Sequence, residues 1–443
     1  MSTVKKWLFP LIALFIYGTL LGAFLLNKPL LPAGQQLPIA LGLLVFTLAL
    51  TEIFIALRPK KLERMIGLPL MYSIHGVMAI VLIIAAIAHI GSELMQQKDF
   101  AVMPSVTPTG IMAMTLLVLT TLTGVFILSN AFTKNSRVMK RLKGRILKRE
   151  TGLWVHRLSI LAVLVIFVHM MSVEFVRSNA ILSVLSSLYV LLAVVGYIGS
   201  NVAKKLLPRY VLQSNTQLNP SVFALEFKPQ KGALMCYQSG QYVFARFLNS
   251  ELPKESHPFS ISSSPKSSSA TLQLIIKNSG DYTSQINKLK SGDIATLEGP
   301  YGSFLDEITS TSNTPIVLLA GGIGITPILS ILRSQIEIST SRNMVLVWGL
   351  NSQNDLLLLH ELEQMKQQNA HFSFFITFSN EHVDTFDYGR ITQEYLQRVG
   401  VDKLYPKADF FICGPAPMMD SMKKILEDNR VPPNKIHIEE FSF

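Results

Sequence analysis

The sequence predicts a multi-domain membrane protein: a six-helix transmembrane α-bundle, then an antiparallel β-barrel lobe and a parallel-sheet α/β lobe. Three observations carry that prediction. Charged residues are only 16% of the 443 residues, whereas a soluble domain carries about 25%. Before residue 200 the apolar residues gather into six long runs, and beyond it short strand-like and helix-like segments take over. The 40 Lys and Arg outnumber the 29 Asp and Glu, but the excess falls in the loops between apolar runs, which excludes a nucleic-acid-binding stripe. Two cysteines, Cys236 and Cys413, support neither a disulfide framework nor a thiolate zinc or iron–sulfur site, so redox chemistry here needs another carrier.

The runs span 7–26, 37–57, 68–94, 110–128, 153–176 and 180–199. Each is close to the ~20 residues that cross a bilayer's hydrocarbon core. Lys5 and Lys6 ahead of the first run resemble the start of a signal peptide, but no A-x-A-like site precedes Asn27, so a retained helix is expected. Arg58, Lys60, Lys61 and Arg64 lie between runs two and three. Lys134, Arg137, Lys140, Arg141, Lys143, Arg145, Lys148 and Arg149 lie between runs four and five. The alternate loops carry only Lys28, Lys98 and Arg177. By the positive-inside rule both termini are cytoplasmic. The chain is expected to be a multi-pass protein of a bacterial inner membrane. The lipid bilayer is its expected partner, with no nucleic acid and no obligatory protein partner.

Domains are expected at 1–205, 206–310 and 311–443. From Pro208 short alternating stretches such as 241–247 and 271–277, split by Gly, Pro and Ser clusters, read as a small antiparallel barrel. From Pro315 buried-strand runs at 316–320, 344–348, 372–378 and 410–413 alternate with helix-length segments, the pattern of a parallel sheet.

Four of the nine histidines fall in the apolar half: His75 and His89 on run three, His156 and His169 on run five. An ionisable residue inside a membrane is costly and points to function. Runs three and five are both odd-numbered, so they point the same way across the bilayer. His75 and His156 then share one depth and His89 and His169 another. The 14- and 13-residue spacings correspond to roughly 20 Å of helix rise. Two depths can therefore hold two stacked bis-histidine haems. Zinc would need its ligands clustered about one point. At 100° per residue a 14-residue step returns to within 40° of one face, whereas a 13-residue step misses by about 140°, so tilt, local distortion or different rotamers must accommodate His169.

In the soluble half, His257-Pro258-Phe259-Ser260-Ile261-Ser262-Ser263 follows the strand containing Gly240-Gln241-Tyr242. Gly280-Asp281-Tyr282-Thr283 opens a helical stretch whose start would stabilise a phosphate. Glu298-Gly299-Pro300-Tyr301-Gly302 is expected to close the barrel. Leu319-Ala320-Gly321-Gly322-Ile323-Gly324-Ile325-Thr326-Pro327 is a strand, a glycine-rich turn and a helix start, the context in which backbone approaches a dinucleotide pyrophosphate. Phe411-Ile412-Cys413-Gly414-Pro415 ends the last long strand.

Together the four-histidine pattern, HPFSISS, GGIGITP, CGP and the terminal EEFSF resemble the ferric reductase and NADPH oxidase family, over about residues 40–443. Beyond residue 205 the chain looks like the ferredoxin–NADP reductase superfamily. The resemblance implies a two-haem bundle joined to FAD- and NAD(P)H-binding lobes. His257, Pro258, Phe259, Ser260, Ser262 and Ser263 match its flavin strand, with Ser260 near the reactive edge, and Thr283 matches its pyrophosphate hydroxyl. Gly321, Gly322, Gly324, Thr326 and Pro327 match the nicotinamide-nucleotide turn, and Cys413, Gly414 and Pro415 the segment beside the nicotinamide. Phe441 or Phe443 matches the aromatic that covers the flavin, with Phe441 favoured.

The implied enzyme is an NAD(P)H oxidase or ferric reductase. It would carry electrons through FAD and two haem b groups to an outside acceptor, dioxygen giving superoxide, or alternatively a ferric chelate. A membrane-anchored flavin reductase serving a cytoplasmic partner is the further alternative. Short outer loops, with Glu93, Asp99 and Glu174 the only nearby acids, favour the small apolar acceptor. No calcium loop is present. NADPH is the family expectation, with NADH the other candidate. Residues 351–355 contain no arginine to grip a 2′-phosphate, which leaves Arg342 or Arg390 to supply the charge.

Overall fold

The computed structural model describes residues 8–27, 31–96, 107–125, 149–248, 251–267, 269–302, 304, 313–338 and 341–439. Most of the basic stretch between runs four and five, with Phe441 and Phe443, lies outside the described residues. The chain divides into two compact units, meeting at Lys205 and Leu206.

The N-terminal unit is helical: α1 Leu8–Asn27, α2 Ala33–Ala56, α3 Lys60–Ile66, α4 Leu68–Gln96, α5 Thr107–Thr123, α6 Arg149–His156, α7 Ser159–Ser172, α8 Glu174–Ser178 and α9 Ala180–Lys205. Four helical stretches among the described residues are long and apolar enough to cross a membrane: Ala33–Ala56, Leu68–Met95, Thr151–Ser172 and Ala180–Lys205. Pro10–Leu26 and Pro108–Thr123 are shorter apolar helices. The expected fifth run is not one smooth helix. It breaks at Arg157–Leu158, immediately after His156, where Leu158 N–H bonds back to Val155 at 3.0 Å in a tight i→i+3 turn.

The C-terminal unit begins with β1 Arg209–Asn219, β2 Val222–Pro229, β3 Tyr242–Phe247, β4 His257–Ser260, β5 Leu272–Lys277 and β6 Ile294–Tyr301. They form an antiparallel sheet in the order β4-β3-β6-β1-β2-β5. Its two edges meet through an Ile261–Leu274 bridge and a 2.9 Å bond from Ser262 N–H to Gln273 O, which curls the sheet into a barrel. The closure therefore lies just beyond β4. Glu298–Tyr301, expected to close the barrel, instead runs inside central strand β6, between β3 and β1.

A parallel sheet follows: β7 Ile316–Gly321, β8 Met344–Leu350, β9 Phe372–Phe378, β10 Asp387–Tyr388, β11 Asp409–Cys413 and β12 Ile436–Glu439, in the order β10-β9-β8-β7-β11-β12. Helices α10 Ile325–Glu337, α11 Leu359–Gln368, α12 Gln393–Arg398 and α13 Ala416–Asp428 complete it. Every residue of β7 is buried, as a strand covered on both faces requires. The two-residue period sorts them: Ile316, Leu318 and Ala320 enter one hydrophobic cluster, Val317 and Leu319 the other. The first cluster also contains Val222, Ala224 and Ile275 of the barrel, so the two lobes share a core. From β7 the chain adds strands first on one side and then on the other, which makes the carboxyl ends of β7 and β11 the switch point where such sheets bind ligands.

Candidate functional site

The helical unit brings the four histidines together as two pairs. His75 and His156 have ring centroids 5.9 Å apart at 88°; His89 and His169 are 6.2 Å apart at 80°. His156 and His169 stand on separate helices, α6 and α7, on either side of the turn at Arg157–Leu158.

Each ring also has a partner for Nδ1. His89 Nδ1 lies 2.9 Å from the Pro38 carbonyl, His156 Nδ1 lies 3.0 Å from the Thr120 carbonyl, and His169 Nδ1 lies 3.2 Å from the Thr109 hydroxyl. His75 Nδ1 meets the Glu52 carboxylate. The two carbonyl contacts use one device. Gly42 and Gly124 stand four residues after Pro38 and Thr120, and a Cβ at either would sit 3.3 or 3.2 Å from the incoming imidazole. A glycine one turn on uncovers the helical carbonyl to a ring from a neighbouring helix. Gly110, beside Thr109, leaves the same kind of room for His169, with an added Cβ 3.0 Å from its ring.

These pairs fit a metal that brings its own equatorial donors. A nitrogen–metal bond of about 2 Å, with about 1 Å more to each ring centre, would place two imidazoles that hold one metal about 6 Å apart. With each Nδ1 turned to a protein group, Nε2 is the nitrogen that would face a metal, the usual arrangement for a metal-bound histidine. Among the described residues no group of three or more His, Cys, Asp or Glu converges as zinc would require. Two axial ligands suffice for haem iron.

In the other unit, β7 and β11 are adjacent, with Ala320 opposite Cys413. The chain leaves β7 through the turn Gly322–Gly324 and enters α10, with Thr326 and Pro327 in its first turn. The turn and the Cys413-Gly414-Pro415 segment lie against each other. A Cβ on Gly324 would stand 2.6 Å from the Cys413 carbonyl carbon and 2.8 Å from Gly414 N; one on Gly321 would stand 2.8 Å from Pro415. Trp348 Nε1–H donates to Gly322 O at 3.0 Å and the Thr326 hydroxyl to Ile323 O at 3.1 Å, so the turn's carbonyls are held from within. Cys413 is fully buried. Burial pushes its thiol up and Glu439 pushes the same way, so it stays a neutral thiol rather than a nucleophile.

In the barrel β4 pairs with β3, Ser260 opposite Tyr242. His257 stacks on Tyr282 with centroids 3.8 Å apart, and its Nε2 lies 3.1 Å from Glu255. Burial, with Glu255 nearby, raises the Tyr282 hydroxyl. Pro258 and Phe259 are half-buried and Ser260 is buried. The hydroxyls expected to touch flavin are engaged within the protein. Ser262 Oγ bonds Gln273 O at 3.1 Å, and Ser263 Oγ accepts Gln273 N–H at 3.0 Å. Thr283 Oγ accepts Ser279 N–H at 2.9 Å and Gly280 N–H at 3.0 Å, folding its own turn. The helical stretch it opens, Thr283–Lys288, is a six-residue 3₁₀ helix, so it offers little helix dipole.

Arg333 on α10 joins the lobes. It grips Glu361 with bonds of 2.6 and 3.0 Å and donates to Ser262 O at 2.9 Å and Gln273 Oε1 at 2.7 Å. Ser330 Oγ donates to Ser263 O at 2.6 Å, and Ser264 Oγ meets Glu337.

The family profile described as an FAD-binding domain matches residues 211–305, and that of the oxidoreductase NAD-binding domain matches 318–424. The C-terminal half carries an FAD-binding and a NAD-binding oxidoreductase domain. The chain is 29% identical over 227 residues to the reductase component of propane 2-monooxygenase from Mycolicibacterium smegmatis, covering 50% of this chain and 64% of that protein. It is 28% identical over 152 residues to a flavohemoprotein from Oceanobacillus iheyensis, covering 34% of this chain and 36% of that one. It thus spans less than two thirds of these curated relatives. The crystal structure of the flavohem-like FAD/NAD-binding domain of nitric oxide dioxygenase from Vibrio cholerae superposes with a TM-score of 0.46 at 23% identity, covering 52% of this chain and 97% of that one.

In the FAD lobe, the features sequence reasoning missed are the Tyr282 stack and the Arg333 bonds that reach it from the NAD lobe. In the helices they are Glu52 and the carbonyl and hydroxyl partners of the histidines. Glu52 had a readable signal, because it is the only charged residue in the run 37–57.

Proposed function

We propose that the chain is a transmembrane flavohaem oxidoreductase that takes electrons from cytoplasmic NAD(P)H and delivers them to an acceptor outside, with six crossings and both termini in the cytoplasm. The carrying observation is the pair of facing imidazoles at 5.9 and 6.2 Å, with each Nδ1 turned to a protein acceptor. When bound, FAD would turn a hydride donor into a source of single electrons, and haem b would carry them one at a time. His75 with His156 would hold one haem and His89 with His169 the other. The Gly321–Gly324 turn would bring backbone to the dinucleotide pyrophosphate, and β4 would present its backbone to the flavin.

The acceptor we favour is dioxygen, reduced to superoxide, because the short outer loops offer little material for a shaped chelate site. The purified chain is expected to show two b-type haems per FAD in a reduced-minus-oxidised spectrum. NAD(P)H turnover in air should then give a dismutase-sensitive cytochrome c signal. Rapid ferric reduction under argon, with negligible dismutase-sensitive signal in air, would identify a ferric-chelate reductase instead. FAD without any haem spectrum would leave a membrane-anchored flavin reductase.

The nucleotide preference follows from the loop after β8, where strand carboxyl ends meet the ribose. Gln353 N–H donates to the Glu381 carboxylate at 2.7 Å, and Asp355 pairs with Lys277 at 2.8 Å, so among the described residues this loop presents a carboxylate and a lysine that is already paired. Arg342 is buried just ahead of β8, at the opposite end of that strand, and Arg390 is exposed beyond β10. NADH should therefore exceed NADPH in kcat/KM by about tenfold or more, about 1.4 kcal/mol, and Glu381→Arg should narrow the ratio. A preference for NADPH that Arg390→Ala abolishes would reverse this assignment.

A further inference from the structure

The four histidines of the proposed haem sites have unequal partners. Two face main-chain carbonyls and one a hydroxyl, all neutral, whereas His75 faces the carboxylate of Glu52. Glu52 is 8% exposed, on α2, and among the described residues His75 is its ion-pair partner. A neutral acceptor would be enough to orient an imidazole, as the other three positions demonstrate. Burying a carboxylate in a membrane-spanning helix costs several kcal/mol in desolvation, so its charge calls for a reason beyond orientation.

We propose that Glu52 is a positioning residue that sets the order of the two redox potentials. The proposal rests on the flavohaem reading above. The carboxylate accepts Nδ1–H of His75, which fixes the tautomer and leaves Nε2 as the metal donor. It also makes that donor more basic and places a negative charge beside the centre. Ferric iron carries one more positive charge than ferrous, and at low dielectric the added anion favours the ferric form. The centre held by His75 and His156 thereby acquires the lower potential. At the centre held by His89 and His169 the groups facing Nδ1 are the Pro38 carbonyl and the Thr109 hydroxyl, with no carboxylate in that place, and this centre keeps the higher potential. An electron entering from the cytoplasmic side then runs downhill toward the outer side, and Glu52 gives the wire its direction.

The test is spectroelectrochemical titration of the purified full-length chain, compared with Glu52→Gln and Glu52→Asp, each with its haem-to-FAD ratio. Two one-electron waves are expected in the unmodified chain. Glu52→Gln should raise the lower wave by at least tenfold in its reduction equilibrium, about 59 mV for one electron, and leave the upper wave in place. Glu52→Asp keeps the charge but withdraws it by one methylene, so a smaller rise of the same wave is expected. If Glu52→Gln loses a haem, the Glu52→Asp titration decides. A lower wave that moves in neither variant, or an upper wave that moves instead, overturns the role of Glu52. An unmodified chain with fewer than two haems per FAD overturns the flavohaem reading itself, and the proposal with it.

Discussion

Replacing His89 with Leu is expected to halve the haem content, from two per FAD to one, and to cut delivery to an outside acceptor by on the order of 100-fold or more. Losing even a second-shell partner of a metal costs about 10- to 100-fold, and this substitution removes a proposed ligand itself. Leu fills similar space against Gly42 but offers no nitrogen to the centre it would share with His169. NAD(P)H oxidation by soluble dyes should survive, since the FAD-binding and NAD-binding domain matches lie in the unit beyond Leu206. The check is a haem-to-FAD ratio by pyridine haemochrome, measured alongside dye reduction and acceptor reduction. Full haem content in the variant would show that His89 is not a ligand. His156→Leu should remove the other haem and disconnect flavin from the outside acceptor.

A second large effect is expected from a single methyl group in the nucleotide turn. In Gly324→Ala the new Cβ would meet the carbonyl carbon of Cys413 at 2.6 Å and Gly414 N at 2.8 Å. Both are backbone atoms of a central strand end, with no flexible side chain to swing aside. The turn must move away from β11, and overpacking of this kind costs about 1–3 kcal/mol. A displacement near 1 Å at a positioning element can cost about 100-fold in rate. Hydride transfer in stopped flow should fall by that order, while the barrel keeps its FAD. Gly322→Ala is the control: its φ is +53° with nothing within 4 Å of an added Cβ, so it carries a left-handed backbone cost of about 1–2 kcal/mol and no collision. Equal rates in the two variants would show that contact with β11 does not govern the turn.

What could be read in the sequence follows the range of the interactions involved. β7 and β8 are continuous apolar runs because both faces are covered, and β9 and β11 are apolar enough to be read beside them. β12 is four residues with no position fully buried, and β10 is two residues, so neither leaves a periodic trace. The four histidines were legible because charge is costly in an apolar run. The break at Arg157–Leu158 was not, because neither Gly nor Pro marks it. The notches at Gly42 and Gly124 depend on which helices are neighbours, and a glycine in an apolar helix has many explanations. Ser262 and Ser263 matched a flavin motif by residue type, yet their hydroxyls answer to Gln273 on a strand brought beside them only when the barrel closes.

The grip of Arg333 on Ser262 and Gln273 couples the stabilities of the two lobes. The guanidinium is donated from α10, its acceptors belong to the barrel, and beneath them Val222, Ala224 and Ile275 share a core with the parallel sheet. Separating the lobes would break the Arg333 bonds to Ser262 and Gln273 and expose that common surface, so neither can unfold without cost to the other. A ligand that binds only the native form stabilises everything that unfolds cooperatively with its site. FAD held in the barrel therefore also guards the nucleotide lobe against heat and proteolysis, and loss of flavin puts the whole reductase at risk.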